Sequence, residues 1–322
     1  MKKLTLAISA LAAAFGASAA KADVSVSGSG SAAYIAPAGS GDAKLNVGQF
    51  VSFGLSTTTA SGMTISGGMG LSNTITTNAG QAVSGGQTLT FATGGATITV
   101  GDVTANDTPG DVGGVVGGQV GDNGGFNTDV ATGFADDDGI GLSLSTALGG
   151  SSLSIVYVAN DGADDLGTIN SSTSGEDALT SASITVPMGM YTVTAGVADS
   201  DTGESASGAS VAAALAGGTL TVGYSQQTLV DGTTDATSSD LSASGDSTVT
   251  GATYVMSLDA DTSISIGLQN AKDADNDSTS QFDASVSRSL GGGASVFLDI
   301  RSLNGDATTK GSAVAFGTSV TF

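Results

Sequence analysis

Thirty Asp and Glu residues, with no His and no Cys, define the chemistry open to this chain. Without His the commonest general base and the commonest metal ligand are gone, so the many serines cannot form a Ser–His–Asp triad. Without Cys there is no thiol or disulfide chemistry. No Walker sequence and no strand-linked GxGxxG occurs, so nucleotide binding has no support. A formal net charge of −22 argues against a nucleic-acid partner. What remains is carboxylate electrostatics. The stretch from Asp102 to Asp138 carries Asp102, Asp107, Asp111, Asp122, Asp129, Asp136, Asp137 and Asp138, and no Lys or Arg. A second cluster, Asp273-Ala274-Asp275-Asn276-Asp277, resembles the opening of a calcium loop. Ser278 stands where such a loop has Gly, and Ala284 where it has a bidentate Glu, so a dedicated calcium site is not expected there. Gly121-Asp122-Asn123-Gly124-Gly125 resembles a calcium-binding nonapeptide but does not recur in tandem. Phe126 and Phe134 in the same stretch either pack it against a wall or bury themselves within it.

The elements that position these acids are short and alternating. Sixteen segments read as strands, near 23–35, 45–56, 63–74, 87–93, 95–101, 139–148, 151–160, 180–187, 190–199, 208–215, 218–226, 248–258, 261–270, 281–290, 293–302 and 311–322. In the last, Val314, Phe316, Val320 and Phe322 share a face with Ser312 and Thr318, while Gly311, Ala313, Ala315, Gly317, Ser319 and Thr321 fall on the other. A period of two is a strand. Leu220, Val222 and Tyr224 alternate in the same way, as do Ile264, Ile266 and Leu268, and Val296, Leu298 and Ile300. With 50 Gly and 5% aromatics, the chain is poor in the bulky groups that fill a soluble core. A barrel around water needs no packed interior.

The connections alternate in length. Thr57–Gly62, Gly94, Gly149-Gly150, Met188-Gly189, Ala216-Gly217, Asp259-Ala260 and Gly291-Gly292 are short; 36–44, 75–86, 102–138, 161–179, 200–207, 227–247, 271–280 and 303–310 are long. Tight turns at one end and long, acidic loops at the other are the pattern of a transmembrane barrel. Sixteen strands give an interior wide enough for an aqueous channel. Residues 1–22 read as a signal peptide: Lys2 and Lys3 precede an apolar run, and Ala20-Lys21-Ala22 fits a cleavage site. The alternative is a membrane anchor. Cleavage leaves one barrel domain, 23–322, with Lys44, Lys272, Arg288, Arg301 and Lys310 against all 30 acids.

These residues resemble the alphaproteobacterial general porins known from purple bacteria. The likeness is carried by Lys21-Ala22-Asp23-Val24-Ser25-Val26-Ser27-Gly28, by Ser61-Gly62-Met63-Thr64-Ile65-Ser66-Gly67-Gly68, by Thr97-Ile98-Thr99-Val100-Gly101-Asp102 and by Leu290-Gly291-Gly292-Gly293-Ala294-Ser295-Val296, in that order. The resemblance implies an all-β, 16-stranded antiparallel transmembrane barrel, trimeric, with the third loop folded inward to narrow the pore. Phe322 at the end of the closing strand resembles the assembly signal of outer-membrane barrels. Two departures stand out. The family sets a row of arginines opposite its acidic loop, whereas here only Arg301 takes a lumen-facing position. The aromatic girdles are thinned to residues such as Tyr34, Tyr191 and Phe322.

The expected function is a non-enzymatic diffusion channel of the Gram-negative outer membrane, passing ions and small hydrophilic solutes. The acids of 102–138 would make it cation-selective, with Arg301 as a partial counter-charge. No cofactor is expected beyond loosely held Ca²⁺ or Mg²⁺ bridging Asp273, Asp275 and Asp277 to lipopolysaccharide phosphates. Two alternatives stay open: a barrel for adhesion or reception with a plugged lumen, and a secreted Gly/Asp-rich β-solenoid adhesin. Bulky lumen-facing residues would favour the first, and tandem repeats of constant period, which are not seen, the second.

Overall fold

The computed structural model describes residues 23–36, 43–75, 88–113, 115, 138–159, 178–201, 203–229, 245–274, 277–305 and 310–322. Residues 1–22, and with them the expected signal peptide, lie outside this set. The strands are β1 (Asp23–Ala36), β2 (Lys44–Thr58), β3 (Thr64–Ile75), β4 (Thr88–Thr93), β5 (Ala96–Thr104), β6 (Asp138–Leu148), β7 (Ser151–Val158), β8 (Leu179–Met188), β9 (Tyr191–Ser200), β10 (Ser205–Leu215), β11 (Gly218–Leu229), β12 (Gly245–Ser257), β13 (Thr262–Lys272), β14 (Ser278–Gly291), β15 (Ala294–Gly305) and β16 (Gly311–Thr321). Each pairs antiparallel with its neighbours in sequence, and β1 pairs with β16 to close the ring. Closure leaves no open edge, which matters in lipid, where no water can bond a free N–H or C=O.

Alternation sorts the side chains as the sequence predicts. Val222, Leu268 and Phe316 point outward and are half-exposed or more, while Ser225, Gln227 and Ala315 on the other face are buried. At the seam, Tyr34 on β1 lies opposite Phe316 on β16, with ring centroids 5.5 Å apart. Such a cross-strand aromatic pair contributes about 0.5–1.5 kcal/mol beyond its buried area. Beyond the end of β16, Phe322 continues the ladder: it exchanges both backbone hydrogen bonds with Gly28, at 2.8 and 2.9 Å. Its ring covers Gly28, where an added Cβ would lie 2.7 Å from ring carbons.

The short connections are tight turns. Ala216 and Gly217 both have positive φ, 47° and 83°. That pair of left-handed residues matches the twist of a two-residue hairpin. The Tyr254 hydroxyl donates to the carbonyls of Leu215 and Ala216 at 3.0 and 3.2 Å and holds the turn. At the opposite end the strands run further than their apolar alternation. β10 starts at Ser205 rather than 208, β12 at Gly245 rather than 248, and β14 at Ser278 rather than 281. Pairing needs only backbone, so it continues through polar residues above the hydrocarbon band. Two loops expected to be long therefore shrink to residues 201–204 and 273–277.

The inner face is less uniformly small and polar than its sequence suggests. Ala33, Ile35, Val249, Ala271, Leu303, Ala313 and Ala315 pack together there, as do Val103, Ala105, Val156, Val158, Leu179, Ala198 and Ala206. Apart from Ala105, which follows β5, both clusters use strand residues toward the long-loop end.

Candidate functional site

The second apolar cluster marks where the chain turns inward. After β5, Ala105 is buried against inner-face residues of β7 to β10. The segment that follows crosses the barrel wall strand by strand. The Asn106 amide donates to Ser181 Oγ on β8 at 2.9 Å. Gln227 Nε2 on β11 donates to the Asp107 carbonyl at 3.3 Å. Gln269 Nε2 on β13 donates to Asp111 Oδ1 at 2.6 Å. The Val115 amide donates to Asp283 Oδ2 on β14 at 3.2 Å. Residue order follows strand order, so the segment lies along the inner wall. The wall residues that hold it are inward-facing polar groups, buried beneath it.

The wall is itself acidic. Asp283 and Arg301 are cross-strand partners on β14 and β15, and both side chains are almost wholly buried. Arg301 grips Asp283 with two bonds, Nε to Oδ1 at 3.0 Å and an outer guanidinium nitrogen to Oδ2 at 3.2 Å. Gln281 Nε2 adds a bond to Oδ2 at 2.8 Å. One step along, Ser285 Oγ donates to Asp299 Oδ1 at 2.6 Å. Asp107 and Asp111 on the segment and Asp283 and Asp299 on the wall thus lie along the same inner face, where Asp283 engages the guanidinium of Arg301 through two nitrogens. Carboxylates gathered along a narrow passage hold a negative field there.

The family model of Gram-negative porins matches residues 7–308. The chain belongs to the Gram-negative porin family. As in other porins, its barrel is an outer-membrane diffusion channel. Solved porin structures share its fold at low identity. One porin crystal structure is 17% identical over 93% of this chain and all of its own, with a TM-score of 0.67. The anion-selective porin from Comamonas acidovorans is 12% identical over 94% and 100%, with a TM-score of 0.63. A substituted porin from Rh. blastica is 15% identical over 93% and 100%, with a TM-score of 0.65. No curated protein sequence matches the chain.

In this porin the acids of the long connection have different places. Asp107 and Asp111 lie on the wall-bound segment. Asp102 pairs with Ile140 and shares its strand face with Ile98 and Val100, which are exposed on the outside; it does not line the passage. Asp138 opens β6. Asp122, Asp129, Asp136 and Asp137, with Phe126 and Phe134, fall outside the described residues. Arg301 faces inward as expected, and two of its nitrogens bind the neighbouring wall carboxylate of Asp283. Asp273 and Asp277 face each other at the ends of the connection between β13 and β14. The Asp277 amide donates to Asp273 Oδ1 at 2.9 Å, and the Asp273 amide to the Asp277 carbonyl at 3.1 Å. Asp275 lies outside the described residues, among which no three carboxylates gather as a metal would need. Asp283, Asp299, Gln227, Gln269 and Gln281 are the site residues the sequence reading missed. One signal was available: Asp283 and Arg301 are equally far from Gly292 in the last tight turn, so hairpin register pairs them.

Proposed function

We propose that this porin is a cation-preferring diffusion pore for ions and small hydrophilic solutes, working as a homotrimer in the outer membrane. The observation that carries the preference is the seating of Asp107 and Asp111 against a wall that holds Asp283, Asp299 and one engaged Arg301. Carboxylates at a narrow passage raise local cation concentration and repel anions. The trimer follows from the family resemblance alone. Reconstitution in planar bilayers with exchanged salts tests the preference. Replacing Cl⁻ by the bulkier acetate should leave the conductance nearly unchanged, and replacing K⁺ by the slower Li⁺ should lower it. The opposite pattern would overturn the preference.

One observation favours a second reading, a barrel that conducts poorly. Ile35, Val249 and Leu303 are fully buried on the inner face, where an open channel would wet them. Bilayers that stay silent at high protein amounts would support that reading over the open pore.

A further inference from the structure

Between the four hydrogen bonds that tie segment 105–115 to the wall runs a line of inward-facing glycines. Gly196 on β9, Gly208 on β10, Gly223 on β11, Gly251 on β12 and Gly267 on β13 occupy five successive strands. Gly196 and Gly208 are cross-strand partners, and so are Gly223 and Gly251. Each sits under an identifiable part of the segment. A Cβ at Gly196 would lie 3.0 Å from Pro109 Cβ. At Gly208 it would collide with the Pro109 carbonyl, and at Gly223 with the Gly110 carbonyl. At Gly251 it would stand 2.5 Å from Val112 Cγ2, and at Gly267 3.3 Å from Val115 Cγ1. The fit is mutual: Gly110 has φ +86°, and a Cβ there would strike the backbones of Ala209 and Tyr224.

We infer that these five glycines form a seat that fixes segment 105–115 flush against the wall and thereby sets the cross-section of the pore. The inference rests on the porin reading and adds the residues that position its constriction. In a strand, Gly weakens packing and marks a close approach of another backbone. Here the approaching backbone is the chain's own. Carbon atoms pack at roughly 3.5–4.0 Å, so a methyl at position 251 lifts the segment by about 1 Å. The segment is anchored in β5 at its start and to Asp283 at Val115, so lifting it off the wall moves it toward the pore axis.

Gly223 and Gly251 give the cleanest test, because the first obstacle at each is the segment rather than the barrel. Gly223→Ala and Gly251→Ala should fold, as read by heat-modifiable mobility, and show a lower single-channel conductance than wild type in the same salt. Gly251→Ala with Val112→Ala removes the clashing methyl and should regain the wild-type conductance. Gly223→Ala meets a backbone carbonyl, so Val112→Ala should not restore it. Folded variants that conduct like wild type would overturn the seat while leaving the porin reading intact. A silent wild type would overturn both.

A second measurement does not depend on the effect of a methyl. The chain has no Cys, so a paired Val112→Cys and Gly251→Cys introduces the only two. The 2.5 Å approach puts their Cβ atoms within about 4 Å, inside the range of a disulfide. Oxidation should link them and leave the conductance at its reduced value, because the bond joins what already touches. Failure to link, or a conductance change on linking, would contradict the seat.

Discussion

Removing the Asp283 carboxylate is the most informative single perturbation. Four bonds end on its two oxygens: two from Arg301, one from Gln281 Nε2 and one from the Val115 amide. Asp283→Ala takes this acceptor from all four donors, and the Arg301 side chain is only 4% exposed. Breaking one side of a buried pair typically costs about 3–5 kcal/mol, because the remaining charge is left uncompensated. Arg301→Ala should cost a similar amount by leaving the buried carboxylate without its cation, although the Gln281 and Val115 bonds remain. The double substitution leaves no charge and should cost well under the sum, with a coupling of about 2–3 kcal/mol. Urea-unfolding midpoints of the refolded barrel, followed by heat-modifiable mobility, supply the cycle. The charge has its own readout. Asp283→Ala leaves a guanidinium beside the passage and should shift the reversal potential toward anions, while Arg301→Ala should shift it toward cations. Single costs that add to within about 0.5 kcal/mol would refute the coupling, and with it the idea that this pair organises the wall.

Three further outcomes are expected. Deleting Phe322 removes both bonds to Gly28 and the ring that covers it, and should reduce the heat-modifiable folded form in outer membranes; undiminished folded protein would count against the role of that residue. Mass measurement in mild detergent should return a trimer, and a monomeric mass at every detergent level would refute it. In the tight turn after β12, the Asp261 amide, then the Thr262 hydroxyl and amide, hold the exposed Asp259 carboxyl below its ordinary 3.8, with Arg288 adding to the effect. A carboxylate with a lowered folded pKa stabilises above the unfolded value and loses that contribution as pH falls through the folded one. Asp259→Asn should therefore destabilise the barrel at neutral pH and lose its effect below about pH 3.8; a difference that persists in acid would contradict the assignment.

Much of the barrel was legible because period-two alternation and turn spacing are local. β13 and β15 read directly from Ile264, Ile266 and Leu268, and from Val296, Leu298 and Ile300. Strand ends at the long-loop side were misplaced where pairing outlasts hydrophobicity, as at Ser205 and Gly245. The site was half legible. Acid density pointed to the connection after β5, but not to its path along the wall. That path depends on groups whose partners are 75 to 168 residues away, such as Ser181 with Asn106 and Asp283 with Val115. A wall glycine reads in sequence as a weak strand position; only the segment lying on it shows why a side chain is missing. Asp102 misled for the opposite reason. It belongs to the acidic run in sequence, yet strand parity turns it outward beside Ile140.

On the proposed function, carboxylates on the inward segment and its wall make the pore prefer cations. The direct measurement is the zero-current potential of the wild-type protein across a planar bilayer in a KCl gradient, taken first in dilute salt and then in concentrated salt. At 0.15 M salt each charge acts over about 8 Å and at 1 M over about 3 Å. A potential of the sign set by K⁺ is expected in dilute salt, shrinking toward zero as the salt is raised. A potential of the sign set by Cl⁻, or none in dilute salt, would contradict it.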